Sequence, residues 1–127
     1  SAIEMVMEPK FLINLLNEER RPFIGAPFNI GSIVQAVSAI GNPQRFYDLL
    51  DKLPYQVKRF KFPDHHLYSV EDLLGAGIDE HQPVVMTEKD AVKCRSFARR
   101  NHWYLSTEVC LPSTFVDEFI ARVETLA

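Results

Sequence analysis

From residue 32 onward, the hydrophobic pattern of the chain switches regularly between two periods. Residues 33–40 (IVQAVSAI) are mostly β-branched and small, as expected of a strand covered on both faces. Phe46, Leu49, Leu50 and Leu53 then recur at helical spacing. Asn42 can cap that helix, Pro43 suits its first position because a missing N–H costs nothing there, and Pro54 closes it. Residues 57–62 alternate Val, Arg and Lys with Phe60 and Phe62, which fits a strand nearer an edge. Ser69, with Asp72 three residues on, forms a capping-box variant ahead of Leu73 and Leu74. Gly75 and Gly77 end that short helix. Residues 83–86 predict a short buried strand, Thr87 and Asp90 are again cap-like, and helix continues through 91–98. Residues 103–105 predict a strand, and 112–126 an amphipathic helix with Phe115, Phe119, Ile120 and Val123 on its apolar face.

The beginning of the chain is less regular. Residues 3–7 are apolar enough for a strand, and Phe11, Leu12, Leu15 and Leu16 predict a helix over 10–17. Residues 18–31 carry Arg20, Arg21, two prolines and two glycines, and read as a loop. Residues 1–31 therefore read as a connector, and 32–127 as the α/β domain proper. Strands alternating with helices imply a three-layer α/β/α sandwich with a mostly parallel, Rossmann-like sheet.

Parallel strands give the polar clusters their meaning. Residues 41–45, 64–66 and 87–90 each follow a predicted strand, so all three fall at one edge of the sheet. Open α/β sheets bind ligands in the crevice outside that edge. Gly41 and Asn42 precede a helix start, where free N–H groups favour an anion. Asp64 beside His65 can orient an imidazole for proton transfer or phosphate contact. His65 and His66 together also leave metal ligation open. Glu88 suits the first turn of a helix, whereas Lys89 opposes the dipole there and calls for a ligand charge or a partner carboxylate. Asn42, His66, Glu88, Lys89 and Asp90 are the candidate cleft residues, and Asp64 and His65 the candidate catalytic pair. Cys94, in mid-helix with nothing to activate it, reads as packing.

Composition narrows the classes. A chain of 127 residues suits one domain, and its net charge of −3 argues against a nucleic-acid module. Lys93, Arg95, Arg99 and Arg100 form a local basic run, either a solvated helix face or a contact for an anionic surface. Two cysteines are too few for a disulfide framework. There is no signal peptide and no apolar run near the ~18 residues that a membrane span needs. There is also no G-x-x-x-x-G-K-[ST] phosphate loop, no G-x-G-x-x-G and no nucleophile elbow. The Ser-Ala start without Met fits an excised piece of a longer protein.

Four segments in order carry a family resemblance: Ala39-Ile40-Gly41-Asn42-Pro43-Gln44-Arg45-Phe46, Phe62-Pro63-Asp64-His65-His66, Met86-Thr87-Glu88-Lys89-Asp90-Ala91-Val92-Lys93-Cys94, and Trp103-Tyr104-Leu105. Together they resemble the C-terminal half of the tetraacyldisaccharide 4′-kinase family, whose members phosphorylate the lipid A precursor disaccharide in Gram-negative bacteria. The resemblance implies a missing N-terminal P-loop domain of the same chain, with 1–31 its connection. It implies ATP and Mg²⁺ held mainly by that domain, with no cofactor expected on this chain alone. It implies a site at the cytoplasmic side of the inner membrane, with Asp64 and His65 facing the cleft between domains. The partners implied are the lipid acceptor and the membrane surface, with no nucleic acid. The chain alone is expected to be inactive. A metal-dependent phosphoesterase, for which Asp64-His65-His66 would be a motif, and a non-catalytic binding module are the rival readings.

Overall fold

A computed structural model describes residues 6–25, 27–63 and 68–110. The predicted helix over 112–126 and the Asp64-His65-His66 segment lie outside the described residues. Six strands form one sheet: β1 (Val6–Asn14), β2 (Arg20–Pro22), β3 (Ile33–Ser38), β4 (Gln56–Lys61), β5 (Val84–Thr87) and β6 (His102–Cys110). Their spatial order is β2-β1-β6-β5-β3-β4. Strands β3, β4, β5 and β6 run parallel, and β1 pairs antiparallel with both β2 and β6. As the alternating pattern predicted, the sheet is mostly parallel and β4 is an edge strand.

Alternation along β3 splits its side chains between two cores. Val34 and Ala36 face one layer with Val85, Trp103, Leu105 and Leu12. There they meet helix α1 (Gln44–Asp51) through Phe46, Tyr47 and Leu50. Val37 and Ala39 face the other layer with Val84 and Met86, against helices α2 (Val70–Gly75) and α3 (Glu88–Cys94) through Leu73, Ala91 and Cys94. Leu12, Leu50 and Met86 are among the largest fully buried side chains. Each such side chain contributes roughly 1.5–3 kcal/mol of burial. Arg59 fixes α1 to the exposed edge: its guanidinium lies 4.9 Å from the Tyr47 ring centroid and 2.8 Å from the Asp51 carboxylate.

The opening of the chain differs from its helical reading. Residues 10–14 are strand, the C-terminal half of β1, and 20–22 pair beside it as β2. The spacing of Phe11, Leu12, Leu15 and Leu16 is that of a helix, but the run is also apolar enough for a strand buried between neighbours. Asn14 decides between them. Its side-chain oxygen accepts from the N–H groups of Leu16 and Asn17 at 2.9 and 3.2 Å, an Asx turn that stops regular structure. Glu18 then takes a left-handed φ of 61°, which no continuing helix tolerates. Arg21, read as a loop charge, lays its guanidinium 4.6 Å from the Trp103 ring centroid and donates to the Pro27 carbonyl at 2.8 Å. Strand β6 is longer than predicted because β1 pairs along it from Asn14–Trp103 to Val6–Cys110, with a register shift between Pro9 and Phe11.

Helix ends follow the local chemistry. Ser69 and Asp72 form the full capping box of α2, at 3.2 and 3.0 Å. Gly77, at φ 86°, ends α2 while the N–H groups of Gly77 and Ile78 return to the carbonyls of Leu74 and Leu73. Helix α1 departs from expectation: Pro43, not Asn42, holds the cap position, and no side chain caps the helix. Asn42 is thus left exposed in the loop after β3. Helix α3 begins at Glu88, capped by Thr87, and ends at Cys94, where a 3₁₀ turn (Arg95–Phe97) takes over.

Candidate functional site

The strand order creates a crevice. After β3 the chain turns to α1 on one face and on to β4; after β5 it turns to α3 on the other face and on to β6. β3 and β5 are neighbours, so their exits diverge from adjacent positions. That divergence is the topological switch point where open α/β sheets hold ligands. A cleft of about 600 Å³ lies there. The loop after β3 supplies Ile40, Gly41 and Asn42 to it; Thr87, Glu88 and Lys89 come from the end of β5 and the first turn of α3. Arg45, Phe46 and Leu49 of α1 form its wall, and Leu105 and Thr107 of β6 its floor. By contrast, the depression beside Leu73, Ile78, Phe97 and His102, at the amino end of β6, holds only about 30 Å³.

Two of the three candidate segments therefore meet as the sequence predicted. Asn42, Glu88 and Lys89 share one cleft, although 46 and 47 positions of sequence separate Asn42 from the latter two. The third candidate segment, with Asp64, His65 and His66, lies outside the described residues. Its approach is described: the Phe62 N–H donates to the Ser38 carbonyl at 2.7 Å, so the chain leaves β4 at the same edge.

Asp90 is placed beneath the cleft rather than in it. It is 0% exposed, and its Oδ2 accepts from the Ala39 N–H at 3.2 Å and the Thr87 hydroxyl at 2.7 Å. The same hydroxyl accepts from the Asp90 N–H at 3.2 Å and so caps α3. Lys93 Nζ lies 3.9 Å from Asp90 Oδ1. Burial, aided by the Asp90 charge, pushes the Cys94 thiol up to about 12, which agrees with its reading as packing.

Arg45, at the end of the 41–45 cluster, lines the cleft as well, beyond the expected residues. The signal was available, since Arg45 stands in the first turn of α1 as Lys89 does in α3. A cation at either position opposes the helix dipole. Thr107 was not legible, because it reaches the cleft only through the added length of β6.

Lys89 and Arg45 suit the oxygens of a phosphate. The chain lacks a phosphate loop, and among the described residues no three His, Cys, Asp or Glu side chains gather to hold a metal.

Fold and cleft define a class: an open, mostly parallel α/β domain with a basic-rimmed crevice at its carboxyl edge. Residues 1–124 match the family model for tetraacyldisaccharide-1-P 4′-kinase, and the chain belongs to that family. A tetraacyldisaccharide 4′-kinase of Pseudomonas aeruginosa (strain PAO1) is 42% identical over 120 residues, covering 94% of this chain and 35% of that protein. One from Pseudomonas fluorescens (strain Pf0-1) is 44% identical over 120 residues, 94% of this chain and 34% of that protein. Among solved structures, LpxK from Aquifex aeolicus in complex with ATP superposes with a TM-score of 0.62 at 25% identity, over 95% of this chain and 36% of that one. The chain thus spans about a third of the length of these relatives. Among the described residues, no helix is long and apolar enough to cross a membrane.

Proposed function

We propose that this chain is the C-terminal α/β domain of a tetraacyldisaccharide 4′-kinase. In this reading the full-length enzyme moves the γ-phosphoryl group of ATP to the 4′-hydroxyl of the lipid A precursor disaccharide, at the cytoplasmic side of the bacterial inner membrane. One observation supports it most directly: a member of this family brings Asn42 and Lys89 from two strand exits into one cleft. Phosphoryl transfer asks mainly for positioning and charge stabilisation, which such a cleft can supply from one side.

The remaining two-thirds of the relatives' length is the place for a P-loop domain that holds ATP and Mg²⁺. The part played by this chain is to close over that domain. Lys89 faces anionic oxygens, Asn42 offers a neutral polar contact, His65 takes the proton of the attacking hydroxyl, and Asp64 orients its imidazole. The chain by itself then has no kinase activity.

The test is steady-state phosphorylation of the lipid acceptor by the full-length protein, with thermal melts as a control. His65→Ala is expected to lower kcat by about 10²–10⁴-fold, the usual loss for a general acid–base group, with ATP affinity unchanged. Asp64→Asn should show a smaller loss. A folded His65→Ala protein with near-normal kcat, or turnover by this chain alone, would count against the reading.

A further inference from the structure

Three segments converge on the buried carboxylate of Asp90. Ala39, whose N–H reaches Oδ2 across 51 positions of sequence, opens the loop that carries Asn42. Thr87, whose hydroxyl reaches the same oxygen, directly precedes Glu88 and Lys89. Tyr68, which follows residues 64–67, is buried close enough to feel the carboxylate: burial raises its pKa most, and the Asp90 charge adds to this. Capping of α3 does not require this carboxylate, because the Thr87 hydroxyl meets the Asp90 N–H without it. A buried carboxylate is costly unless its oxygens are satisfied. Here Oδ2 is satisfied from the loop after β3 and from the end of β5, the two strand exits that bound the cleft, while Oδ1 has no hydrogen bond among the described residues and lies 3.9 Å from the Lys93 ammonium.

We propose that Asp90 is the positioning residue of the cleft, fixing the loop after β3 against the first turn of α3 so that Asn42 and Lys89 keep one geometry. It touches no substrate and acts through Ala39 and Thr87. The catalytic consequence rests on the kinase reading above; the positioning itself does not.

The test uses the full-length protein with Asp90→Asn, Asp90→Ala, Thr87→Val and Thr87→Ser. Asn can keep both Oδ2 partners on its single oxygen, but it removes the charge that strengthens those bonds and sets its NH2 beside Lys93 in place of Oδ1, so both bonds weaken and the loop after β3 can shift. Small displacements of this kind cost up to about 10²-fold in rate. Asp90→Asn is therefore expected to lower kcat by about 10- to 100-fold while leaving the KM for ATP unchanged, since ATP is assigned to the other domain. Thr87→Val should behave alike, and Thr87→Ser, which keeps the hydroxyl, should restore kcat. In hydrogen exchange, the Ala39 amide of Asp90→Asn should lose protection while the Val37 and Val85 amides keep theirs. A merely structural Asp90 would lower melting temperature without this split. Wild-type kcat in folded Asp90→Asn, or unchanged Ala39 protection, overturns the proposal. If Asp90→Ala does not fold, the Thr87 pair still decides. If wild-type protein fails to phosphorylate the lipid, the kinase reading falls, and hydrogen exchange alone judges the positioning.

Discussion

At the amino ends of the parallel strands, side-chain amides, two of them buried, hold the loops down. Gln35 donates to the carbonyls of Asp79 and Gln82 at 2.8 and 3.2 Å and accepts from the Asp79 N–H at 2.7 Å. Asn101 donates to the Gln82 carbonyl at 2.9 Å, and Asn14 to that of Arg100 at 2.8 Å. At the carboxyl ends the polar side chains of Asn42, Glu88 and Lys89 point into a cleft, and no ion pair engages Lys89 among the described residues. The amides at one end satisfy backbone groups, whereas at the other the exposed Asn42, Glu88 and Lys89 line a cleft. If the cleft serves the proposed phosphoryl transfer, substitutions at the two edges should fail in different assays.

The largest loss of stability is expected from Gln35→Ala. Gln35 is 1% exposed, and its removal orphans the Asp79 N–H, leaves the Asp79 and Gln82 carbonyls to Asn101, and opens a void. Orphaned buried groups cost about 1–3 kcal/mol each when water cannot reach them, and a cavity adds to that. Because the loop around Asp79 can partly rehydrate, the expected total is about 3 kcal/mol, read from urea denaturation at neutral pH. A loss below about 1 kcal/mol would mean that the amino edge is not fastened by its amides.

Acid should weaken the same edge. His102 is buried, accepts from the Arg99 N–H through Nδ1 at 3.2 Å, and has its pKa lowered to about 4, by burial first and by the Arg99 charge second. Its folded pKa lies below the unfolded value of about 6.5, so the unfolded chain binds the proton first. The stabilisation is complete above pH 6.5 and is lost as pH falls from there towards 4, in total on the order of 3 kcal/mol. His102→Asn, which keeps an acceptor but cannot titrate, should flatten this part of the pH–stability curve. Curves of equal slope for the two proteins between pH 6.5 and 4 would break the assignment.

What the sequence disclosed follows from how local each signal is. The cap of α2, its glycine ending and the buried runs of β3 and β5 are decided within a few residues, and they appear where predicted. The cleft was legible because parallel strands convert sequence order into a shared edge, without contacts having to be known. Residues 10–17 were misread because the choice between helix and strand was made by β6, some ninety positions away, together with the Asx turn at Asn14. Asp90 was assigned to the cleft because its neighbours Glu88 and Lys89 belong there. One residue, a step of about 100° around the helix, separates exposed Lys89 from buried Asp90, and the bond to Ala39 shows which side Asp90 takes.

Lys89→Ala should have the smallest effect on stability and sharpen the contrast most. The residue is exposed, stands in the first turn of α3, and opposes the dipole there, so its loss should leave stability within about 0.5 kcal/mol and can even raise it slightly. If the carboxyl edge serves a phosphoryl-transfer site, the same substitution removes a charge-assisted contact, typically about 1.5–3 kcal/mol. Phosphorylation by the full-length protein should then fall by about 10- to 100-fold. Lys89→Arg should recover part of it, because the positive charge remains while the shape of the donor changes. Lys58 is the matched control: it is exposed on edge strand β4, outside the cleft, and Lys58→Ala should leave both stability and phosphorylation unaltered. A melting curve and a rate measured on each of these three proteins decide the matter. Loss of rate at Lys89 without loss of stability marks an edge kept for chemistry, whereas equal rates at Lys89 and Lys58 would reduce both lysines to solvated surface.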